Sequence, residues 1–140
     1  MPNVEELATI VVDTGLHIHK DFGPGLLETF YEQILAAKLE KMGLMVTRQK
    51  PINIVYGDVE IKNAFRIDLL INDMLILEIK SVGQIVPMHA KQLLTYLRLT
   101  QLSLGLLINF GGPTFKSGIR RVVNNHTDFA SSRLRVNQIS

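Results

Sequence analysis

The sequence predicts an α/β domain built in the order helix, three strands, helix, strand. Three observations predict this class. The N-terminal segment has apolar residues at helical spacing, residues 46 to 80 are rich in Ile and Val with turn-forming pairs between their runs, and a second helical run precedes a short apolar stretch. The chain has no internal repeat and no linker-like stretch, so residues 1–140 are interpreted as a single domain.

The first 43 residues predict two helices. Apolar residues recur at helical spacing from Val4 to about Lys20, and the glycines and proline of residues 22–25 predict a turn after them. Good helix formers then run from Gly25 to about Met42. Gly43 stands where a helix end favours a left-handed residue.

The next stretch predicts three antiparallel strands. These are Val46–Tyr56, Val59–Ile71 and Met74–Lys80, all rich in branched apolar residues. The pairs Gly57-Asp58 and Asn72-Asp73 separate them and are typical of hairpin turns.

The remaining chain predicts a helix and a buried strand. The helix covers His89–Thr100, and the apolar run Leu102–Phe110 is closed by two glycines and a proline, as a buried strand would be. In the tail, Ser117–Val123 predicts a short helix and Ser132–Ile139 an edge strand.

Composition excludes several classes of protein. The chain has 46% hydrophobic and 20% charged residues in 140 residues, which is typical of a globular domain rather than of a disordered chain. It contains no cysteine, so disulfides, thiolate metal sites and a cysteine nucleophile are excluded. It has neither a long uncharged apolar window nor a basic leader, so we expect a soluble, cytoplasmic protein without a membrane partner.

Charge is distributed unevenly along the chain. Residues 1–80 hold 8 Lys and Arg against 12 Asp and Glu, net −4, whereas residues 81–140 hold 7 against 1, net +6. The basic half favours a polyanionic partner such as a nucleic acid. The alternative is a solvated basic surface with no special purpose.

Two carboxylates and a lysine meet on the predicted second and third strands. Because side chains alternate along a strand, Glu78 and Lys80 project from one face. A tight turn at residues 72 and 73 would place Asp68 opposite a residue near Glu78, and two such carboxylates would suit Mg²⁺. The alternatives are a local Glu78–Lys80 ion pair and a pairing of Asp68 with Arg66 or Lys80.

A third carboxylate lies on the second helix. At about 100° per residue, Leu35 and Leu39 lie roughly 20° to either side of Glu28, so we expect this glutamate to project into the apolar stripe. Glu32 lies nearer the polar edge, and we expect it to be solvated. A buried Glu28 would need a partner, such as an ion shared with Asp68 and Glu78.

These residues resemble a known family. Gly25, Glu28 and Tyr31 match the signature of the GxxExxY protein family, and Asp68 with Glu78-Ile79-Lys80 is similar to the D…ExK core of the PD-(D/E)XK nuclease superfamily. The resemblance runs from about His17 to Val123. It implies a PD-(D/E)XK nuclease-like core, a mixed four-stranded sheet flanked by helices.

The resemblance also implies roles for individual residues. Asp68, Glu78, Glu28 and the main-chain carbonyl of Ile79 would hold Mg²⁺, which Mn²⁺ could replace, and Lys80 would act beside the attacking water. Gln92 would point toward the site, and Tyr96 would contact it or a phosphate, unless Tyr96 is a core residue. Further cations are candidates for phosphate contacts: Arg98, Lys116, Arg120, Arg121, Arg133 and Arg135.

The predicted function is Mg²⁺-dependent hydrolysis of phosphodiester bonds in nucleic acid, with DNA as the expected substrate. The alternatives are a catalytically silent nucleic-acid-binding module and a protein-interaction module on the same fold. One active site cuts one strand, so cleavage of both strands would require a homodimer.

Overall fold

A computed structural model describes residues 1–125 and 134–138, the latter by backbone only. Among these residues the sheet has six strands in the order β5-β4-β3-β2-β1-β6. Strands β3 and β4 are parallel and the other neighbours antiparallel, so the predicted mixed α/β sheet is confirmed. The helices are α1 Val4–Phe22, α2 Glu28–Lys41 and α3 Pro87–Thr100; the strands are β1 Val46–Tyr56, β2 Val59–Ile71, β3 Leu75–Lys80, β4 Leu104–Asn109, β5 Ile119–Val123 and β6 Leu134–Gln138.

Local chemistry sets the helix ends. Asn3 caps α1 because its side chain accepts the Glu6 N–H at 2.9 Å while the Glu6 carboxylate accepts the Asn3 N–H at 3.0 Å. Gly43 ends α2 with φ +87°, the left-handed conformation predicted for it. Helix α2 begins at Glu28 rather than at Gly25, because residues 23–27 form a loop.

The sheet separates two apolar clusters. Helices α1 and α2 cover one face, where Leu7, Leu35, Leu77 and Ile79 are fully buried. Helix α3 covers the other face with Leu93 and Leu97, which pack with β-strand residues of the second cluster. This arrangement buries every side chain of β4 and all but the last of β3, as expected for central strands between helical layers.

Two predictions about the sheet were incomplete or wrong. The resemblance implied four strands, and two more pair at its edges. Residues 117–123 do not form a short helix; a 3₁₀ turn at Lys116–Gly118 leads into β5, which pairs with β4 from Ile119 to Val123. Here the hydrogen-bonded pairing with β4 outweighs the local helical preference that the sequence indicated. The predicted C-terminal edge strand is present as β6, paired with β1.

Some predicted features lie outside the description. Arg133 is not among the described residues, and of Arg135 only the backbone in β6 is. Over residues 1–125 and 134–138, none of the helices combines the length and apolarity needed to cross a membrane.

Candidate active site

The site lies where β2 and β3 separate. The two strands pair from Ile71 opposite Leu75 to Leu69 opposite Leu77, and continuing that register places Asp68 opposite Glu78. At this point the hydrogen bonds between the two backbones end, and side-chain carboxylates accept the backbone N–H groups instead. The Ile79 N–H donates to Asp68 Oδ2 at 2.8 Å, and the Asp68 N–H donates to Glu78 Oε2 at 3.3 Å. The predicted convergence of the two carboxylates is therefore present.

Glu78 is the more buried of the two acids, with 7% of its surface exposed. Burial, together with the charge of Asp68 and a hydrogen bond to it, raises the pKa of Glu78 to about 9 against the opposing effect of Lys80. Without a cation, this carboxyl is protonated at neutral pH. A cation beside it would favour the charged form, because it would replace the water that burial removes.

Lys80 ends β3 beside the acidic residues and lowers the pKa values of both Glu78 and Glu28. Its carbonyl accepts the Phe110 N–H at 2.9 Å. Buried Asn109, opposite Lys80 on β4, accepts the Val82 and Gly111 N–H groups and donates to the Val82 carbonyl. Asn109 thus secures the loop that follows Lys80, a role that sequence reasoning missed.

Tyr31 organises the loop before α2. Its hydroxyl donates to the Gly23 carbonyl at 2.6 Å and accepts the Leu26 N–H at 3.2 Å, while its buried ring stacks on Phe110. The Leu26 carbonyl in turn accepts the Ser81 hydroxyl at 2.6 Å. These bonds connect the start of α2 to the end of β3.

Glu28 is the first residue of α2 and is exposed, so its predicted burial in the apolar stripe is wrong. The helical angle was right, but a side chain at the first position leans back toward the loop and away from the packed turns. Partial desolvation raises the pKa of Glu28, Lys80 lowers it, and Asp68 raises it. Glu28 therefore lies within electrostatic range of the acidic pair.

The prediction for Glu32 is also wrong, in the sense opposite to that for Glu28. It was expected to be solvated, yet it is 5% exposed and accepts hydrogen bonds from Arg48 and Gln49 of β1. The buried stripe of α2 is wider than Leu35 and Leu39 indicated, because it also contains Ala36. A glutamate on a helix and an Arg-Gln pair on the following strand are a common pattern. The sequence therefore could not have identified this network.

Gln92 and Tyr96, the two residues of α3 that were predicted to lie at the site, differ in their surroundings. Gln92 is exposed, and its side chain makes no hydrogen bond with any residue in the described ranges. Tyr96 is half-buried and stacks on Phe65 with ring centroids 4.1 Å apart. Burial raises the pKa of Tyr96, and the charges of Glu78 and Asp68 raise it further. Tyr96 is thus a packed residue that lies within electrostatic range of the acidic pair.

The predicted phosphate-binding cations lie on α3 and along the β5 edge. Lys116 and Arg120 are exposed, and Arg120 donates to the carbonyls of Ser117 and Ile119. Arg121 forms a two-bond ion pair with Glu5 of α1, one bond being 2.8 Å long. Arg98 is half-buried. Its Nε is buried without a hydrogen-bond partner in the described chain.

The chemistry of the donors fits a hard divalent cation. Asp68 and Glu78 supply adjacent carboxylate oxygens, and Mg²⁺ is commonly bound by one or two carboxylates together with waters and substrate phosphate. Over the described residues, no three His, Cys, Asp or Glu side chains are grouped closely enough to form a metal site by themselves. Glu28 thus lies near the pair without joining it.

Comparison with known proteins is consistent with this geometry. A family model described as the PD-(D/E)XK nuclease superfamily matches residues 5–122, from α1 to β5. No curated protein and no solved structure was found to match the chain. The matched range contains Asp68, Glu78 and Lys80.

Proposed function

The chain belongs to the PD-(D/E)XK nuclease superfamily, and from this premise we propose that it hydrolyses phosphodiester bonds in DNA with the help of a divalent cation. The observation that carries the proposal is the opening between β2 and β3, where Asp68 and Glu78 converge beside Lys80.

Mg²⁺ is the proposed cofactor, and Mn²⁺ is expected to replace it. Asp68, Glu78 and the main-chain carbonyl of Ile79 would hold the ion, and Glu28 would complete or adjust the set. When bound, the cation supplies positive charge that stabilises the negative charge developing on the phosphate. Its binding would also keep Glu78 ionised.

Lys80 is proposed to act on the attacking water and the phosphate. Its ammonium lies near Glu78 and Glu28, so it can orient the water and counter negative charge in the transition state. Gln92 and Tyr96 are proposed to contact the substrate from α3. The raised pKa of Tyr96 keeps its hydroxyl protonated as a donor.

We assign the chain to the GxxExxY family within the superfamily. The three motif positions have distinct physical roles: Gly25 adopts φ +109°, Tyr31 secures the loop, and Glu28 begins the helix at the site. The signature would therefore place one carboxylate beside the acidic pair.

The nucleic-acid contacts are proposed for Arg98, Lys116, Arg120 and Arg121. Arg120 and Arg121 offer a matched comparison, because they are adjacent on β5 but only Arg121 is paired with a carboxylate. We expect Arg120→Ala to weaken DNA binding more than Arg121→Ala, as measured by fluorescence anisotropy over a salt series. Equal losses would contradict this ranking.

The function is tested by nicking of supercoiled and branched DNA with and without Mg²⁺. Asp68→Ala and Lys80→Ala should abolish nicking, whereas the exposed Asp58→Ala and Lys41→Ala should not. Activity that persists in both site variants would overturn the proposal. Conversion of plasmid directly to linear DNA would indicate that two copies act together.

The same assay separates the alternatives. Salt-dependent DNA binding without cleavage under any divalent ion would assign the chain to a silent binding module. Absence of nucleic-acid binding at low salt, together with a stable protein complex recovered from cells, would favour a protein-interaction role.

A further inference from the structure

Three polar residues of α2 and β1 form a hydrogen-bonded chain that reaches Asp68 through Gln49. Glu32, only 5% exposed, accepts Arg48 Nη2 at 3.0 Å on Oε2 and Gln49 Nε2 at 2.6 Å on Oε1. Both carboxylate oxygens are therefore occupied, as a buried carboxylate requires. Arg48 supplies the compensating charge, so the Glu32–Arg48 pair is a fixed anchor.

Gln49 connects this anchor to the acidic pair. The same Nε2 lies 3.3 Å from Asp68 Oδ1, and an amide nitrogen carries two hydrogens, so Gln49 can donate to both carboxylates at once. The backbone of Gln49 has φ +50°, in the left-handed region that side chains rarely adopt. Such strain is kept where the surroundings require it, often at functional sites.

A purely structural link between α2 and β1 would need only Glu32 and Arg48. The contact from Gln49 to Asp68 adds nothing to that link, and it joins the buried anchor to a residue of the acidic pair. We propose that Gln49 is a positioning residue for the Asp68 carboxylate and that Glu32, held by Arg48, positions Gln49. This inference rests on the proposed function, in which Asp68 is a metal ligand.

The physical effect is on the orientation of Asp68. Its Oδ2 accepts the Ile79 N–H and its Oδ1 accepts Gln49, so each oxygen is held by a donor from a neighbouring strand, in addition to the hydrogen bond with Glu78, and the plane of the carboxylate is fixed. Each oxygen keeps a second acceptor site for a cation. Because Gln49 is neutral, it also holds Asp68 close to Glu32 without adding a third negative charge.

The first test measures Mg²⁺ affinity by isothermal titration calorimetry. Gln49→Met keeps the length of the side chain and removes its donor, so we expect affinity to fall about 10- to 100-fold, as for other groups that orient metal ligands. Gln101→Met is the matched control, because Gln101 is also a glutamine with a left-handed backbone, φ +58°, at the end of α3. An effect of Gln49→Met no larger than that of Gln101→Met overturns the proposal.

A second variant guards against misfolding. Gln49→Gly removes the amide but suits φ +50°, so relief of backbone strain should offset part of the hydrogen bond that Glu32 loses, and the variant should still unfold cooperatively while its Mg²⁺ affinity falls. Wild-type affinity in a well-folded Gln49→Gly protein would overturn the proposal.

A metal-free measurement separates failure of this inference from failure of the proposed function. The Ile79 N–H donates to Asp68, so its hydrogen exchange should quicken in Gln49→Met when Asp68 loses its second donor. If the wild type binds no Mg²⁺, the proposed function fails, and the Ile79 exchange rate alone decides whether Gln49 positions Asp68. Unchanged exchange refutes the positioning role.

The role of Glu32 is tested by coupling. If Glu32 acts through Gln49, Glu32→Gln should weaken Mg²⁺ binding in the wild type but have no further effect in Gln49→Met. Additive losses would show that Glu32 acts independently and would overturn that part of the proposal.

Discussion

The two ends of the β2–β3 pair do different work. At the closed end, Leu69, Ile71, Leu75 and Leu77 are fully buried and the strands form a regular antiparallel ladder. At the open end, the carboxylates of Asp68 and Glu78 take the place of backbone acceptors. The difference shows how one hairpin can supply both stability and a reactive site.

The open end depends on the closed end. Backbone N–H groups that lose their partner strand must find other acceptors, because an unpaired buried donor is costly. Asp68 and Glu78 supply these acceptors. The same hydrogen bonds bring the two carboxylates together, so no separate loop is needed to place them. The stability of the closed end thus offsets the cost of two neighbouring acids.

The largest expected effect is at the open end. Glu78→Gln should lower the DNA-nicking rate roughly 10³-fold, about 4 kcal/mol in barrier height, because a neutral amide cannot hold the cation. The free energy of unfolding at neutral pH should rise in this variant rather than fall, because the metal-free wild type must take up a proton on Glu78 when it folds and the amide needs none. Glu60→Gln, on the exposed part of β2, is the control, and it should behave as wild type.

At the closed end the outcome should be the reverse. Leu77→Ala should reduce the free energy of unfolding by about 2–5 kcal/mol, because it leaves a cavity between the sheet and α1 and α2. Urea denaturation measures this loss. The comparison breaks down if Leu77→Ala destabilises the protein no more than Glu78→Gln does.

A smaller loss of stability is expected on the β4 side of the open end. Asn109→Ala removes three hydrogen bonds to the backbone of Val82 and Gly111 and leaves these groups unpaired, at a cost of roughly 1–3 kcal/mol. It should also lower activity, since the loop after Lys80 is released. Asn125→Ala, at an exposed position, provides the baseline in the same denaturation experiment.

A further prediction concerns the pH dependence of the stability of the metal-free protein. The folded protein holds a proton on Glu78 more tightly than the unfolded chain, since its pKa is about 9 against a usual 4.5. The resulting stabilisation is complete below about pH 4.5 and is lost as the pH rises through about 9. Denaturation in EDTA at a series of pH values in this range should show the free energy of unfolding falling with pH in the wild type and not in Glu78→Gln. A slope of equal size in both proteins would remove Glu78 as its cause.

Strand positions were predictable to within a few residues because hairpin turns and branched apolar runs are local signals. Strands β1 and β2 have the predicted bounds, and β3 begins one residue later than predicted. The turn at Asn72 and Asp73 predicted Asp68 opposite a residue near Glu78, and the structure places it opposite Glu78 because the loop spans residues 72–74. The helix prediction for residues 117–123 was wrong because their strand, β5, forms only through pairing with β4.

By itself, therefore, the sequence determined the order of the elements up to β4, and it indicated that Asp68 and Glu78 lie near each other, since both depend on periodicity along the chain and on local turn signals. Only the tertiary structure decided which glutamate of α2 is buried and that Gln49 joins Glu32 to Asp68. Those contacts depend on how far a helix extends past the sheet and on a single left-handed residue in β1. Burial and hydrogen-bond partners are set by neighbours distant in the chain, and no local pattern encodes them.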